Sequence, residues 1–153
     1  MDLLFLGNLH KVDDGRTYLR VQSLSKLFNR IFYQFNFTGT EDLPQLPENV
    51  VPIPVPLRSK KDVFDRIRFE LEILSVAKTV QANVFYIHNF PRFFPLSVFK
   101  AARLNGASIF YEINEVYPVQ ILRDFPPIIK SVKEGYLWRV LKKQMTSSAA
   151  WIF

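Results

Sequence analysis

Two segments constrain the fold most: VFYIHNF, residues Val84–Phe90, and FYEINEVYP, residues Phe110–Pro118. Each opens as a short run rich in β-branched and aromatic residues and stops abruptly in polar ones. The first ends in His88 and Asn89, the second in Glu112, Asn114 and Glu115. Between them, Leu96–Leu104 reads as a helix, with Pro95 near its first turn and Gly106 just past its end. Strand, helix and strand in that order make a parallel pair with both polar ends on one edge of the sheet. In open α/β sheets ligands bind outside the carboxyl ends of the strands, so function is sought along that edge.

The rest of the chain repeats the alternation. Leu3–Leu6 is an apolar run fit for a buried strand, followed by a polar, loop-like stretch from Gly7 to Gly15. Leu19, Val21, Leu24, Leu27 and Phe28 carry a helical spacing over Thr17–Phe28, and Ile31–Phe37 is rich in β-formers. Five prolines fall between Thr38 and Pro56. Proline donates no ladder hydrogen bond, so Val50–Val55 is expected as an edge strand or an extended connection. A helix is expected over Lys60–Gln81, with Val63, Ile67, Leu71, Leu74 and Ala77 on its apolar face, widened by Phe64, Ile73 and Val80. Strands follow at Val84–Ile87 and Ser108–Ile113. Pro118–Pro127 reads as irregular, with room for one turn at Val119–Arg123. A long helix covers about Ile128–Thr146, with Ile129, Val132, Tyr136, Val140 and Leu141 on one side. Ala149–Phe153 has the look of a strand that has just begun, from which the natural chain is expected to continue. Alternation of this kind predicts an α/β fold, a Rossmann-like three-layer α/β/α domain with a mostly parallel sheet.

With 153 residues, 48% of them hydrophobic and 15 of them phenylalanine, the chain suits one domain with an aromatic core. It has no cysteine, which excludes disulfides, thiolate chemistry and cysteine-ligated metals and fits a reducing cytosol. His10 and His88 are its two histidines, so a histidine-rich zinc site is not available, and no metal is expected. The amino terminus lacks a basic region and a signal-length apolar run, and nothing approaches the roughly 20 apolar residues of a membrane span. A cytoplasmic protein is expected, peripheral at a membrane at most. The net charge of +6 favours anionic partners, though the basic residues are scattered as on a solvated surface.

The chemical motifs are few. None of the five glycines forms a G-x-G-x-x-G or P-loop pattern, and there is no G-x-S-x-G elbow. The turn Gly7-Asn8-Leu9-His10 is a candidate for contact with an anionic ligand, an ordinary strand-to-helix loop being the competing reading. His88, at the end of a strand, suits hydrogen bonding to a sugar hydroxyl or a phosphate, or the satisfaction of loop backbone groups. Glu112 and Glu115 form a carboxylate pair for acid–base chemistry or serve as loop acceptors. Arg92-Phe93-Phe94 and Trp138-Arg139 have the flavour of a nucleic-acid surface, but phenylalanine is so frequent that nucleic acid is not an expected partner. The basic helix from Ile128 suits an anionic membrane surface or a second domain, against the plainer reading of a solvated basic face.

Taken together, these features resemble the N-terminal domain of retaining GT-B glycosyltransferases, the large group that uses nucleotide-sugar donors. The likeness rests on Asp13-Asp14-Gly15-Arg16 leading into the first helix, on FYIHNFPRFFPLSVFKAARLNGASIFYEINEVYP, and on Trp138–Phe153. Within the middle segment His88, Ala101, Ala102, Arg103, Gly106, Tyr111, Glu115, Tyr117 and Pro118 match the family pattern. Glu112 replaces an aspartate and Asn114 replaces a histidine. The resemblance implies an acceptor-side domain that presents Gly7, Asn8, Arg16, His88, Asn89, Asn114 and Glu115 to an interdomain cleft. It implies a nucleotide sugar as donor substrate, a sugar or lipid-linked acceptor, and a C-terminal donor-binding domain as partner. Asparagine still donates and accepts hydrogen bonds but carries no proton or charge, so at residue 114 a binding role survives the change and imidazole chemistry does not. A non-catalytic binding or interaction domain and an unrelated flavodoxin-like domain are the competing readings.

Overall fold

The structure is a computed structural model and describes residues 1–12, 14–39, 45–59, 61–88, 93–113 and 127–152. Among the described residues six strands and four helices follow in the order β1 (Asp2–Lys11), α1 (Gly15–Ser25), β2 (Arg30–Phe37), β3 (Val50–Pro56), α2 (Val63–Thr79), β4 (Val84–His88), α3 (Ser97–Leu104), β5 (Ser108–Glu112), α4 (Pro127–Ser147) and β6 (Ala150–Ile152). The strands form one sheet in the order β3-β2-β1-β4-β5-β6, and every pairing is parallel. The order reverses between β1 and β4, which sets a crevice at their carboxyl ends. A flavodoxin-like sheet has a different strand order, so that reading is excluded.

Both faces of the sheet are covered, which is why its central strands are apolar throughout instead of alternating. Leu3, Phe5, Ile31, Tyr33, Phe35, Val84 and Tyr86 point to one face and pack with Val21 of α1. Leu4, Leu6, Phe85, Ile87, Ile109 and Tyr111 point to the other. There they meet Phe69, Ile73 and Ala77 of α2, Val98, Phe99, Ala101 and Ala102 of α3, and Val140 and Leu141 of α4. Phe5 stacks on Tyr86 with ring centroids 4.7 Å apart and meets Tyr33 edge-on at 5.5 Å. These geometries suit the aromatic quadrupole and fix the β1–β4 pair beneath the crevice.

Local signals explain most element ends. Asp62 caps α2, its Oδ1 accepting from the backbone N–H of Phe64 at 2.8 Å and of Asp65 at 3.3 Å. Gly106 takes the left-handed conformation after α3, with φ of 68°. The proline-rich Val50–Pro56 does pair, and it does so as the outermost strand beside β2, where missing amide hydrogens are tolerated.

Three expectations are corrected. Strand β1 does not stop at Leu6 but runs on through Gly7–His10 to Lys11. The α2 helix is shorter than Lys60–Gln81, and only part of its expected apolar face turns inward: Ile73 and Ala77 are buried and Leu74 and Val80 pack against the core, as expected. Phe69, Glu70, Ile73 and Ala77 are buried, whereas Val63, Phe64 and Leu71 are exposed. An i, i+4, i+8 row through Phe69, Ile73 and Ala77 meets α3, and Glu70 is held in by accepting the backbone N–H groups of Phe93 and Phe94 at 2.7 and 3.1 Å. On α4, Val140 and Leu141 are buried as expected but Tyr136 is exposed.

Candidate functional site

The extension of β1 builds the crevice. After Leu6 pairs with Gln34, the next paired residue of β1 is Lys11, opposite Asn36. A five-residue step on β1 thus faces a two-residue step on β2, and the surplus bulges out at the carboxyl edge. Two features hold the bulge. Gly7 lies so close to β2 that a Cβ on it would sit 2.7 Å from the Gln34 carbonyl oxygen. Asn8 takes a left-handed φ of 54°, a conformation that asparagine tolerates better than most residues. The buried Gln34 side chain then serves both backbone groups of Asn8. It accepts from the Asn8 N–H at 2.9 Å, and its own amide donates to the Asn8 carbonyl at 3.3 Å. The bulge carries His10 over the end of β4.

There the side chains form a hydrogen-bonded row. Asp14 Oδ2 lies 2.5 Å from His10 Nδ1, His10 Nε2 lies 2.7 Å from His88 Nε2, and His88 Nδ1 lies 2.6 Å from Glu112 Oε2. Glu112 Oε2 also accepts from the Tyr86 hydroxyl at 2.9 Å and from the Arg20 guanidinium. Each strand places its member by register, because His88 on β4 pairs with Glu112 on β5. His88 and Glu112 are buried, at 2% and 3% side-chain exposure, while His10 and Asp14 open to solvent at 26% and 38%. The row therefore runs from a solvent-facing carboxylate to a buried one across the switch point of the sheet.

The electrostatics keep both carboxylates ionised. Burial alone would raise the Glu112 carboxyl, but hydrogen bonds from His88, Tyr86 and Arg20 and the charge of His88 outweigh it and hold the group at about 2. The Asp14 carboxyl is lowered, chiefly by its hydrogen bond with His10. The Tyr86 phenol is pushed up by burial and by the Glu112 carboxylate it donates to.

Of the residues singled out from the sequence, the structure brings His88 and Glu112 together with His10 of the Gly7–His10 turn and Asp14 of the segment leading into α1, and adds Arg20, which the sequence reading missed. Gly7 does not face the crevice; its α-carbon is pressed against β2. Asn8 is buried under Gln34 and shapes the bulge. Arg16 is exposed on the first turn of α1, and Arg20, one turn later, is the residue that reaches Glu112. Asn89, Asn114 and Glu115 lie outside the described residues, as does the proposed pairing of Glu112 with Glu115. Among the described residues no group of three or more His, Cys, Asp or Glu is arranged to hold a metal ion. No helix of the described residues is long and apolar enough to cross a membrane. No family model and no curated protein matches this chain.

Proposed function

We propose that this chain is the acceptor-side domain of a retaining glycosyltransferase that takes its sugar from a nucleotide-sugar donor. The observation that carries the reading is the polar row from Asp14 to Glu112, set across the switch point of an all-parallel Rossmann-like sheet. Ligands of such sheets sit in that crevice. The row offers what a hydroxyl-rich ligand needs there: a carboxylate open to solvent on Asp14 and, beside it, the exposed Arg16 on the neighbouring helix turn. The sequence segments that resemble the N-terminal half of GT-B enzymes end at this same edge, in His88 and Glu112.

On this reading the domain positions the acceptor and lines one wall of the cleft. Charge on the departing nucleotide would be stabilised by donors preorganised on a second, donor-binding domain. The 153-residue chain by itself is then expected to transfer no sugar. The test is a thermal-shift screen of the chain against nucleotide sugars and oligosaccharides, since a ligand that binds only the folded state raises the melting temperature by mass action. A rise with a member of either class, abolished by H88A, supports the reading. A flat response to both classes at millimolar ligand rejects it.

A further inference from the structure

The whole net charge of the chain sits on two neighbouring helices. Seven of its 20 basic residues and one of its 14 acidic ones, Glu134, lie on α3 and α4, and the remaining 13 of each sign cancel. In the sequence these basic residues look scattered; the fold gathers them. Both helices pack on the same face of the sheet, with Val98, Phe99, Val140 and Leu141 turned inward. Lys100, Arg103, Arg139, Lys142 and Lys143 are left exposed on the outside.

A merely solvated basic face has no need of apolar grooves, and this one has three. A groove of about 470 Å³ lies among Leu96, Tyr136, Arg139, Val140 and Lys143. A second, of about 340 Å³, runs along Trp138, Leu141 and Met145, and Lys142 lines both. A third, of about 360 Å³, lies between α3 and α4 and shares Leu96 and Lys143 with the first. Among the described residues no carboxylate lines any of them. Tyr136 and Trp138 are 61% and 44% exposed. Helical spacing sets Tyr136, Arg139 and Lys143 in one row and Trp138 and Lys142 in the next, so each row joins an aromatic ring to a cation about one turn further on. Tyrosine and tryptophan have an apolar body and a polar tip, and the stems of lysine and arginine lie along apolar surface while the charge stays in water.

We propose that the outer face of α3 and α4 docks on an anionic lipid bilayer, with Tyr136 and Trp138 at headgroup level and the cations around them against lipid phosphates. Charge complementarity names the occupant. A bilayer surface satisfies both halves of the face at once, phosphates meeting the cations and the acyl boundary meeting the rings and the apolar floors. A nucleic acid would take the charge and leave those floors wet. A peptide helix would fill one groove and leave the cations of the other helix without a partner. No helix of the described residues can cross a membrane, so the contact is with the surface. The inference does not rest on the glycosyltransferase reading, because it uses none of the crevice residues.

The test sediments the intact chain with vesicles of phosphatidylcholine alone and of equal parts phosphatidylcholine and phosphatidylglycerol, at about 0.15 M ionic strength. Binding to the anionic vesicles alone is expected, with a blue shift of tryptophan emission that W138F removes. K142Q/K143Q should weaken partitioning about 25-fold, at about fivefold for each basic residue near the surface. K26Q/K61Q removes two exposed lysines that lie off these helices and should change partitioning by about twofold at most. Equal binding to both kinds of vesicle, no binding to the anionic ones, a blue shift that persists in W138F, or an equal loss in the two lysine pairs overturns the proposal. Single-stranded DNA and polyglutamate are run in parallel. Binding of either that depends on Lys142 and Lys143, without binding to vesicles, overturns it as well and gives the face to that polyanion. None of these outcomes bears on the ligand of the crevice.

Discussion

Replacing Glu112 with glutamine tests whether the buried end of the row is electrostatic in the way its geometry implies. The substitution keeps the shape and one acceptor oxygen but deletes the charge that Arg20, Tyr86 and His88 share. Glu112 is held at about 2 against an ordinary 4.5. At about 1.4 kcal/mol per unit, that gap corresponds to roughly 3 kcal/mol of native-state stability. The figure agrees with the roughly 3–5 kcal/mol expected when one partner of a buried charge pair is removed. Because the folded-state value is depressed, this stability is fully present above the unfolded value and is lost as the pH falls from about 5 to 2. Urea unfolding at pH 7 should place E112Q about 3 kcal/mol below wild type, a drop in melting temperature of roughly 6–12 °C for a chain of this size. Over the acid range the wild-type stability should fall steeply and the variant's should fall much less, so that the two curves converge. A loss below about 1 kcal/mol at neutral pH, with parallel acid curves, would refute the assignment of Glu112 as the charged anchor of the row.

Other substitutions separate the bulge, the caps and the core. Gly7→Ala drives a Cβ against the Gln34 carbonyl with backbone on both sides, so urea melts should show a loss of about 1–3 kcal/mol together with shifted His10 amide resonances. Asp62→Ala removes the cap of α2, far in sequence from the row, and should cost about 1 kcal/mol while leaving the histidine resonances in place. Phe85→Ala empties a fully buried site between the sheet and its helices and should cost about 3–5 kcal/mol in the same melts.

The sheet was legible in the sequence wherever the local pattern was decisive. Val84–Ile87 and the run to Glu112 are continuous apolar stretches because both their faces are buried, and Gly106 marks the end of α3 because only glycine meets its φ of 68° without strain. Even the proline-rich Val50–Pro56 was legible as an edge strand, since each missing donor can face away from β2. The continuation of β1 was not. Gly7, Asn8 and His10 read as a polar loop, and what keeps them in the sheet is Gln34, a buried side chain on another strand. The face of α2 was legible in part: Ile73 and Ala77 are buried as expected, but apolar residues surround the helix, and the choice of Phe69 and Glu70 over Val63, Phe64 and Leu71 is made by α3 and by the Glu70 contacts with Phe93 and Phe94. The site was half legible. His88 and Glu112 end adjacent strands, so the strand-end rule finds them. His10 lies 78 residues from its partner, and only the placing of β1 beside β4 joins them. A stronger weight on the α1 face would have pointed to Arg20, which lies one turn beyond Arg16 and one residue before the buried Val21.

The central claim, that the crevice between β1 and β4 is where this domain meets a sugar-bearing ligand, is tested most directly by amide chemical-shift mapping of the 153-residue chain during titration with UDP-glucose. The account predicts perturbations gathered at Gly7–Lys11, Asp14–Arg20, His88 and Glu112, with the helical face of α3 and α4 unchanged. Shifts confined to α3 and α4, or to the opposite edge around Asp2, Arg30 and Asn83, would contradict it.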